Sequence, residues 1–211
     1  MARKIDPAWA EATTLKTAVV LGAPGSGKTT LVEQWIGDYM RRGGDVMILD
    51  PSAQFGDLGV WPEEGPEAFI INLKGNFNGL LVLDDADRYL SATPRGIWRD
   101  LFTSFRHWGV NLLVVSRRTQ GIPKDVIASA DDVIIFRLSE PHARKYLRGL
   151  VGEKATEAIP SKRYEFVKVS PFDPDSMQKG TTTKRKIETL ADRAVTIGNE
   201  GGGDFWAEFW G

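Results

Sequence analysis

Apolar residues fall along this chain in short runs separated by polar and glycine-rich stretches. Thr17–Leu21, Val46–Leu49, Leu80–Leu83, Val110–Val115 and Val133–Leu138 are such runs, each bounded by turn signals or charged residues. Runs of this length, rich in β-branched residues, predict fully buried strands. The segments between them predict helices. One opens near Gly27 and reaches about Arg42, where Gly43-Gly44 supplies a stop. Pro94 suits the first turn of another, which reaches about Trp108 and closes at Gly109. Pro123–Ala130 predicts a short helix and Glu140–Val151 a basic one. Ala68–Asn72 predicts a short extra strand and Tyr164–Val169 a late one. Residues 52–66 hold Gly56, Gly59, Pro62, Gly65 and Pro66 and predict a loop. The polar lead-in 1–16 predicts a short helix at about Ala8–Thr14, and from about Pro171 the pattern fades. Strands alternating with helices predict an α/β fold, a mainly parallel sheet covered on both faces. The expected division is a domain over residues 1–170 and a polar, basic extension over 171–211.

Length and composition narrow the chemistry. A chain of 211 residues suits one α/β domain with some length to spare. It has no cysteine, which excludes disulfides, thiolate metal sites and cysteine nucleophiles. His107 and His142 are the only histidines, are far apart in sequence, and read as surface or helix-cap residues. The net charge of −1 confines any nucleic-acid surface to a local patch. No apolar run is long enough to span a membrane, and the N-terminus lacks a signal-peptide core. The expectation is a soluble, intracellular protein.

The first run leads straight into Gly22-Ala23-Pro24-Gly25-Ser26-Gly27-Lys28-Thr29-Thr30, which fits the phosphate-loop pattern GxxxxGK[ST]. A triphosphate needs many donors in a small concavity, and side chains would crowd it. Glycines let the backbone N–H groups turn inward, and the following helix adds its positive end. Lys28 is expected to reach the β and γ phosphates of ATP, and the Thr29 hydroxyl to hold Mg²⁺. A plain glycine turn is the competing reading. The apolar strand before the loop and Leu31–Ile36 after it argue against that.

The third run ends in Asp84-Asp85, an apolar strand followed by two acids. Asp84 at the strand end suits the Mg²⁺ shell, and Asp85 suits activation of the attacking water. One strand intervenes between this pair and the phosphate loop, which implies a RecA-like core with sheet order 5-1-4-3-2. The run Val110–Val115 then lies between the two nucleotide-binding strands. Its end, Ser116 and Arg117, points at the γ-phosphate.

Further stretches carry a family resemblance. Ile48-Leu49-Asp50-Pro51, Leu83–Asp87, Arg106-His107-Trp108-Gly109-Val110-Asn111-Leu112, Val114–Arg118 running on to Ile122-Pro123, and Asp132–Leu138 occur in this order. Together they resemble the FtsK–HerA superfamily of DNA-translocating ATPases over about residues 15–150, and the small viral genome-packaging members most of all. The resemblance implies ATP hydrolysis coupled to movement of double-stranded DNA without sequence preference. It implies a homo-oligomeric ring, expected to be a hexamer, in the host cytoplasm or the virion. It implies a trans arginine, for which Arg106 is the candidate ahead of Arg137, Arg144 and Arg148. The family's sensor glutamine aligns with Arg117; Gln120 lies three residues later, and the choice between them stays open. The family's second acid is a glutamate, and here it is Asp85. A HerA-like cellular or plasmid translocase shares this chemistry. A slow nucleotide-dependent scaffold protein and a small-molecule kinase are the rivals from other classes.

Cations that could track DNA phosphates are Lys162-Arg163, Lys184-Arg185-Lys186 and Lys124. The chain ends in a glycine-rich linker and then Phe205, Trp206, Phe209 and Trp210. The i, i+4 spacing of these rings would form one adhesive face on a helical turn. That face is expected to dock on a capsid vertex, a membrane-associated viral protein or a neighbouring subunit, with folding back onto its own domain as the competing reading.

Overall fold

The computed structural model describes residues 16–140 and 142–182. The expected helix at Ala8–Thr14, the Lys184-Arg185-Lys186 cluster and the aromatic C-terminus lie outside these residues. The strands are β1 (Thr17–Leu21), β2 (Val46–Leu49), β3 (Gly59–Val60), β4 (Gly79–Leu83), β5 (Val110–Ser116), β6 (Asp132–Phe136), β7 (Glu165–Ser170) and β8 (Asp173–Thr181). The helices are α1 (Lys28–Arg41), α2 (Pro66–Leu73), α3 (Gly96–Ser104), α4 (Lys124–Ala128), α5 (Ala143–Val151) and α6 (Glu153–Glu157).

One sheet joins all eight strands in the order β3-β2-β4-β5-β1-β6-β7-β8. Its central run, β2-β4-β5-β1-β6, is the expected 5-1-4-3-2 read from the other edge. The full order is longer than expected. β3 adds a parallel edge beside β2, and β7 and β8 add antiparallel strands beyond β6.

The strict alternation of strand side chains splits the core in two. Val19, Leu21, Leu49, Leu81, Leu83, Leu112 and Val114 share one cluster with apolar residues of α2 to α6. Ala18, Val20, Ile48, Val82, Leu113, Val115 and Ile134 share the other, with Leu31, Val32, Trp35 and Ile36 of α1. All residues of β1, β4 and β5 are buried, which is why those runs read as mostly apolar stretches.

Three predicted elements change, the first being the loop over 52–66, which carries β3. Residues 68–72 belong to α2, not to a strand. Pro66 presets the first helical turn, and Phe69, Ile70 and Leu73 then share the buried face while Ile71 is exposed. The stretch after Pro171, read as patternless, is β8. It is a mostly exposed edge strand, so it carries no apolar alternation, and its pairing with β7 holds it.

Candidate functional site

The C-terminal ends of β1, β4 and β5 lie side by side in the middle of the sheet, because β5 pairs with both of the others. Each feeds a loop with chemistry. The loop after β1 is anchored on two sides. Gly22 N donates to Ser116 O (3.2 Å) and Ala23 N to Arg137 O (2.8 Å). A Cβ on Gly22 would stand 2.7 Å from Phe136 Cβ and 2.8 Å from Ser26 Oγ, so only glycine fits. Gly27 caps α1 with φ +114°, a left-handed value that other residues resist. Pro24 and Gly25 form the exposed tip. Thr29 and Thr30 are half-buried in the first turn of α1.

Lys28 is buried, and its Nζ donates to Gly22 O (2.8 Å) and Ala23 O (3.2 Å). The ammonium therefore lies inside the curve of its own loop. Burial pushes its pKa below the usual lysine value, and Asp85, Asp84 and Asp87 pull against that shift.

The acids after β4 are buried together, Asp84 at 2% exposure and Asp85 at 6%. Asp84 N donates to Leu49 O (3.0 Å). Its carboxyl pKa is pushed up to about 7, by burial first and then by the charges of Asp85 and Asp50. Asp85 has φ +44° and starts a 3-10 turn over Ala86–Arg88. Asp87 ties this turn to the end of β5. Its Oδ1 accepts from Arg117 N (3.0 Å) and from the Ser116 hydroxyl (3.0 Å). The Arg117 guanidinium bridges the two acids, with Nε 3.3 Å from Asp85 Oδ1 and Nη2 3.4 Å from Asp87 Oδ2.

A third loop completes the cluster, and sequence reasoning missed it. Asp50, at the end of β2, accepts from Ser52 N (3.1 Å) and Phe55 N (2.8 Å) and so shapes residues 51–55. From this loop Ser52 Oγ donates to Asp85 Oδ2 (2.8 Å). Thr29 Oγ1 donates to Gln54 Oε1 (3.1 Å), and Gln54 Nε2 donates to Asp84 Oδ2 (3.3 Å). Arg88 Nη1 donates to Ser52 Oγ (2.9 Å) and Pro51 O (3.1 Å). The available signal was positional: in an open α/β sheet, polar residues just past any strand's carboxyl end belong to the crevice.

One amide thus links Thr29 Oγ1 and Asp84 Oδ2, a hydroxyl and a carboxylate. Hard oxygen donors in this pair suit Mg²⁺. Among the described residues no group of three or more His, Cys, Asp or Glu could form a metal cage. An ion that arrives with phosphates and keeps its waters needs none.

No family model matches the chain, and no curated protein sequence matches it. Solved structures do. The genome-packaging NTPase B204 of Sulfolobus turreted icosahedral virus 2, in complex with AMPPCP, is similar at TM-score 0.66 and 17% identity, over 80% of this chain and 98% of that one. The pCW3 conjugation coupling protein TcpA, with ATPγS, is similar at TM-score 0.61 and 14% identity, over 80% and 60% of the two chains. The cytoplasmic domain of the Thermomonospora curvata type VII secretion ATPase EccC is similar at TM-score 0.58 and 16% identity, over 81% and 24%. The chain has a P-loop ATPase fold.

Within that fold the other expected site residues lie as follows. Arg117 faces the acids, whereas Gln120 is exposed in the turn beyond them. Gly121 presses that turn on Asp87, where a Cβ would stand 2.5 Å from the aspartate's own Cβ. Arg106 lies at the other end of the sheet. Its Nη2 pairs with Asp131 Oδ2 (3.2 Å), the oxygen that also accepts from Thr17 N at the start of β1. Five strand steps, roughly 16 Å, separate Thr17 from the phosphate loop, so Arg106 cannot reach the site of its own chain. Arg144 donates to Thr156 O (2.7 Å) and Ile159 O (3.0 Å) and ties α5 to the end of α6. Arg148 pairs with Glu153, and Arg137 is half-buried beside the phosphate loop. Lys124, Lys162 and Arg163 are exposed, as are His107 and His142. Among the described residues no helix is long and apolar enough to cross a membrane.

Proposed function

We propose that this chain is an ATPase of the FtsK–HerA kind that drives double-stranded DNA into a viral capsid, working as a homo-oligomeric ring, expected to be hexameric. The observation that carries the reading is the convergence of three loops on one crevice. They bring a phosphate loop with Lys28, a Thr29–Asp84 pair suited to Mg²⁺, and Asp85 held by Arg117. The likeness to B204 over nearly all of that chain supports a packaging motor.

Phosphoryl transfer is mostly positioning and electrostatics. In this reading the loop amides and Lys28 bind the triphosphate, with Ser26 and Gly27 at the neck of α1. Water attacks the γ-phosphorus, the bond from that phosphorus to the bridging oxygen breaks, and ADP leaves. Asp85 orients the water and takes its proton. A bound Mg²⁺ would neutralise charge on the β and γ phosphates, with Thr29 and Asp84 as its protein partners. Ser116 and Arg117 sense the γ-phosphate, and Arg106 serves the site of a neighbouring subunit.

The test is ATP hydrolysis with and without double-stranded DNA of mixed sequence. The proposal expects stimulation that is independent of sequence and weakened by salt. Near-zero turnover unchanged by DNA would instead support a nucleotide-dependent scaffold. The likeness to TcpA favours a second reading, a plasmid DNA translocase with the same chemistry. Stimulation by empty capsids separates the two. Deleting residues 201–211 tests the aromatic tail: docking predicts intact ATPase activity with capsid binding lost, and a truncation that still packages DNA ends that idea.

A further inference from the structure

Gln54 is exposed, so packing does not explain where its amide sits. Its placement nevertheless carries a cost. Ala53, just before it, has φ +50°, a left-handed value for a non-glycine residue. Such backbone is strained, and it persists where the surroundings over-determine it. Here they do. Asp50 holds the backbone of Ser52 and Phe55, and the Phe55 ring is buried below the loop. The strained, braced turn delivers one side chain to two partners, Thr29 Oγ1 and Asp84 Oδ2.

The chemistry of that side chain is specific. Its amide can accept from the threonine hydroxyl and donate to the carboxylate at once. The acceptor holds the Thr29 proton on the Gln54 side, which leaves the hydroxyl lone pairs free. The donor occupies Asp84 Oδ2 and fixes its orientation. A glutamate at position 54 could not donate and would add another carboxylate beside Asp50, Asp84 and Asp85.

We propose that Gln54 is a positioning residue for the divalent cation that accompanies the nucleotide: it presets Thr29 and Asp84, and its Oε1 accepts from a cation-bound water once the site is filled. The assignment rests on the ATP-site reading above and deepens it. Residues in this role hold the direct ligands in place, and losing one costs about 10–100-fold in metal affinity.

The experiment measures binding of a fluorescent, non-hydrolysable ATP analogue to wild type, Gln54→Ala and Gln54→Met. Each is titrated first in EDTA and then with Mg²⁺, and Mn²⁺ binding is followed by electron paramagnetic resonance. Because Gln54 is exposed, thermal melts serve to confirm that both variants fold. The expected result is a metal-free affinity within about twofold of wild type, with half-saturating Mg²⁺ and Mn²⁺ concentrations raised about 10–100-fold in both variants. Unchanged cation dependence in both variants would overturn the assignment. So would an equal loss in EDTA and in Mg²⁺, which would make Gln54 a contact to the nucleotide itself. Wild-type protein that binds no nucleotide would sink the ATP-site reading and this proposal with it, an outcome visible before any variant is compared.

Discussion

Asp84→Asn should make the metal-free protein more stable. Asp84 is buried beside Asp85 and Asp50, and its pKa is raised from 3.8 to about 7. The folded state therefore holds the Asp84 proton more tightly than the unfolded chain does. Stability from this group is fully present below the unfolded value and falls as pH climbs from about 4 to about 7. Above that window the protein carries the whole penalty of a buried charge. At about 1.4 kcal/mol per tenfold change in proton affinity, the gap amounts to about 4 kcal/mol. Relaxation of the neighbouring acids and water entry reduce this, and roughly 2–4 kcal/mol is the expectation at pH 8. Asparagine keeps an oxygen for Gln54 Nε2 and carries no charge, so it escapes the penalty. For a domain of this size the change is a rise of roughly 5–10 °C in Tm. The assay is thermal or urea unfolding in EDTA between pH 4 and 8. The variant's advantage should grow across that window and vanish near pH 4. A variant less stable than wild type at pH 8, or an advantage independent of pH, would show that burial of the Asp84 charge is not the cause. The same variant should lose the Mg²⁺-dependent part of nucleotide affinity, a trade of function for stability.

Other expectations follow from the same geometry. Lys28→Ala should abolish tight nucleotide binding, and Asp85→Asn should keep binding and lose turnover; equilibrium binding and steady-state hydrolysis separate the two, and normal turnover in Asp85→Asn would assign water activation elsewhere. Gly22→Ala should cost about 1–3 kcal/mol and weaken nucleotide binding, because the new Cβ meets Phe136 and Ser26 at under 3 Å; a melt and a binding titration check it. Mixing Arg106→Ala subunits with Lys28→Ala subunits should restore some hydrolysis at mixed interfaces, since a trans arginine is worth about 10³–10⁵ in rate. No recovery in verified mixed assemblies would leave Arg106 as the partner of Asp131 at the base of β1 and nothing more.

The parts legible in the sequence are those that burial or backbone geometry dictates locally. β1, β4 and β5 are wholly buried, so each appears as a mostly apolar run, broken within β5 only by Asn111. The phosphate loop is legible because Gly22 and Gly27 sit where no Cβ fits. Ala68–Asn72 was ambiguous because its four-residue apolar run suits a strand or one face of a helix, and Pro66 together with the Phe69–Leu73 spacing decides it. β8 was invisible because its order comes from pairing with β7, a long-range property with little trace in composition. Asp84 and Asp85 were legible at the end of a strand. Ser52, Gln54 and the structural part of Asp87 were not, since each acts on residues 25 to 33 positions away, through loops that meet only in three dimensions.

These contacts share a logic. Asp50, Asp84, Asp85 and Asp87 crowd one crevice, and the cations beside them are already engaged. Lys28 spends its donors on two loop carbonyls, and Arg117 is held by Asp85 and Asp87. A ligand can shift such an arrangement only by what it binds better in the new state. A triphosphate offers Lys28 stronger acceptors than backbone carbonyls, and an accompanying divalent cation offers Asp84 the opposite charge it lacks. Asp84 is hydrogen-bonded to a second loop through Gln54, and the loop that holds Lys28 is itself tied to further elements. Arg117 and Ser116 meet Asp87 where β4 and β5 end, and Tyr164 N holds Ser26 O (2.7 Å) at the start of β7. The Tyr164 carbonyl in turn accepts from Thr182 N (2.7 Å), where β8 has just ended. Strain applied at the phosphate loop therefore has a covalent and hydrogen-bonded route out of the crevice, through Ser26 and Tyr164 to residue 182. Two short backbone hydrogen bonds thus join the loop to the β7–β8 hairpin.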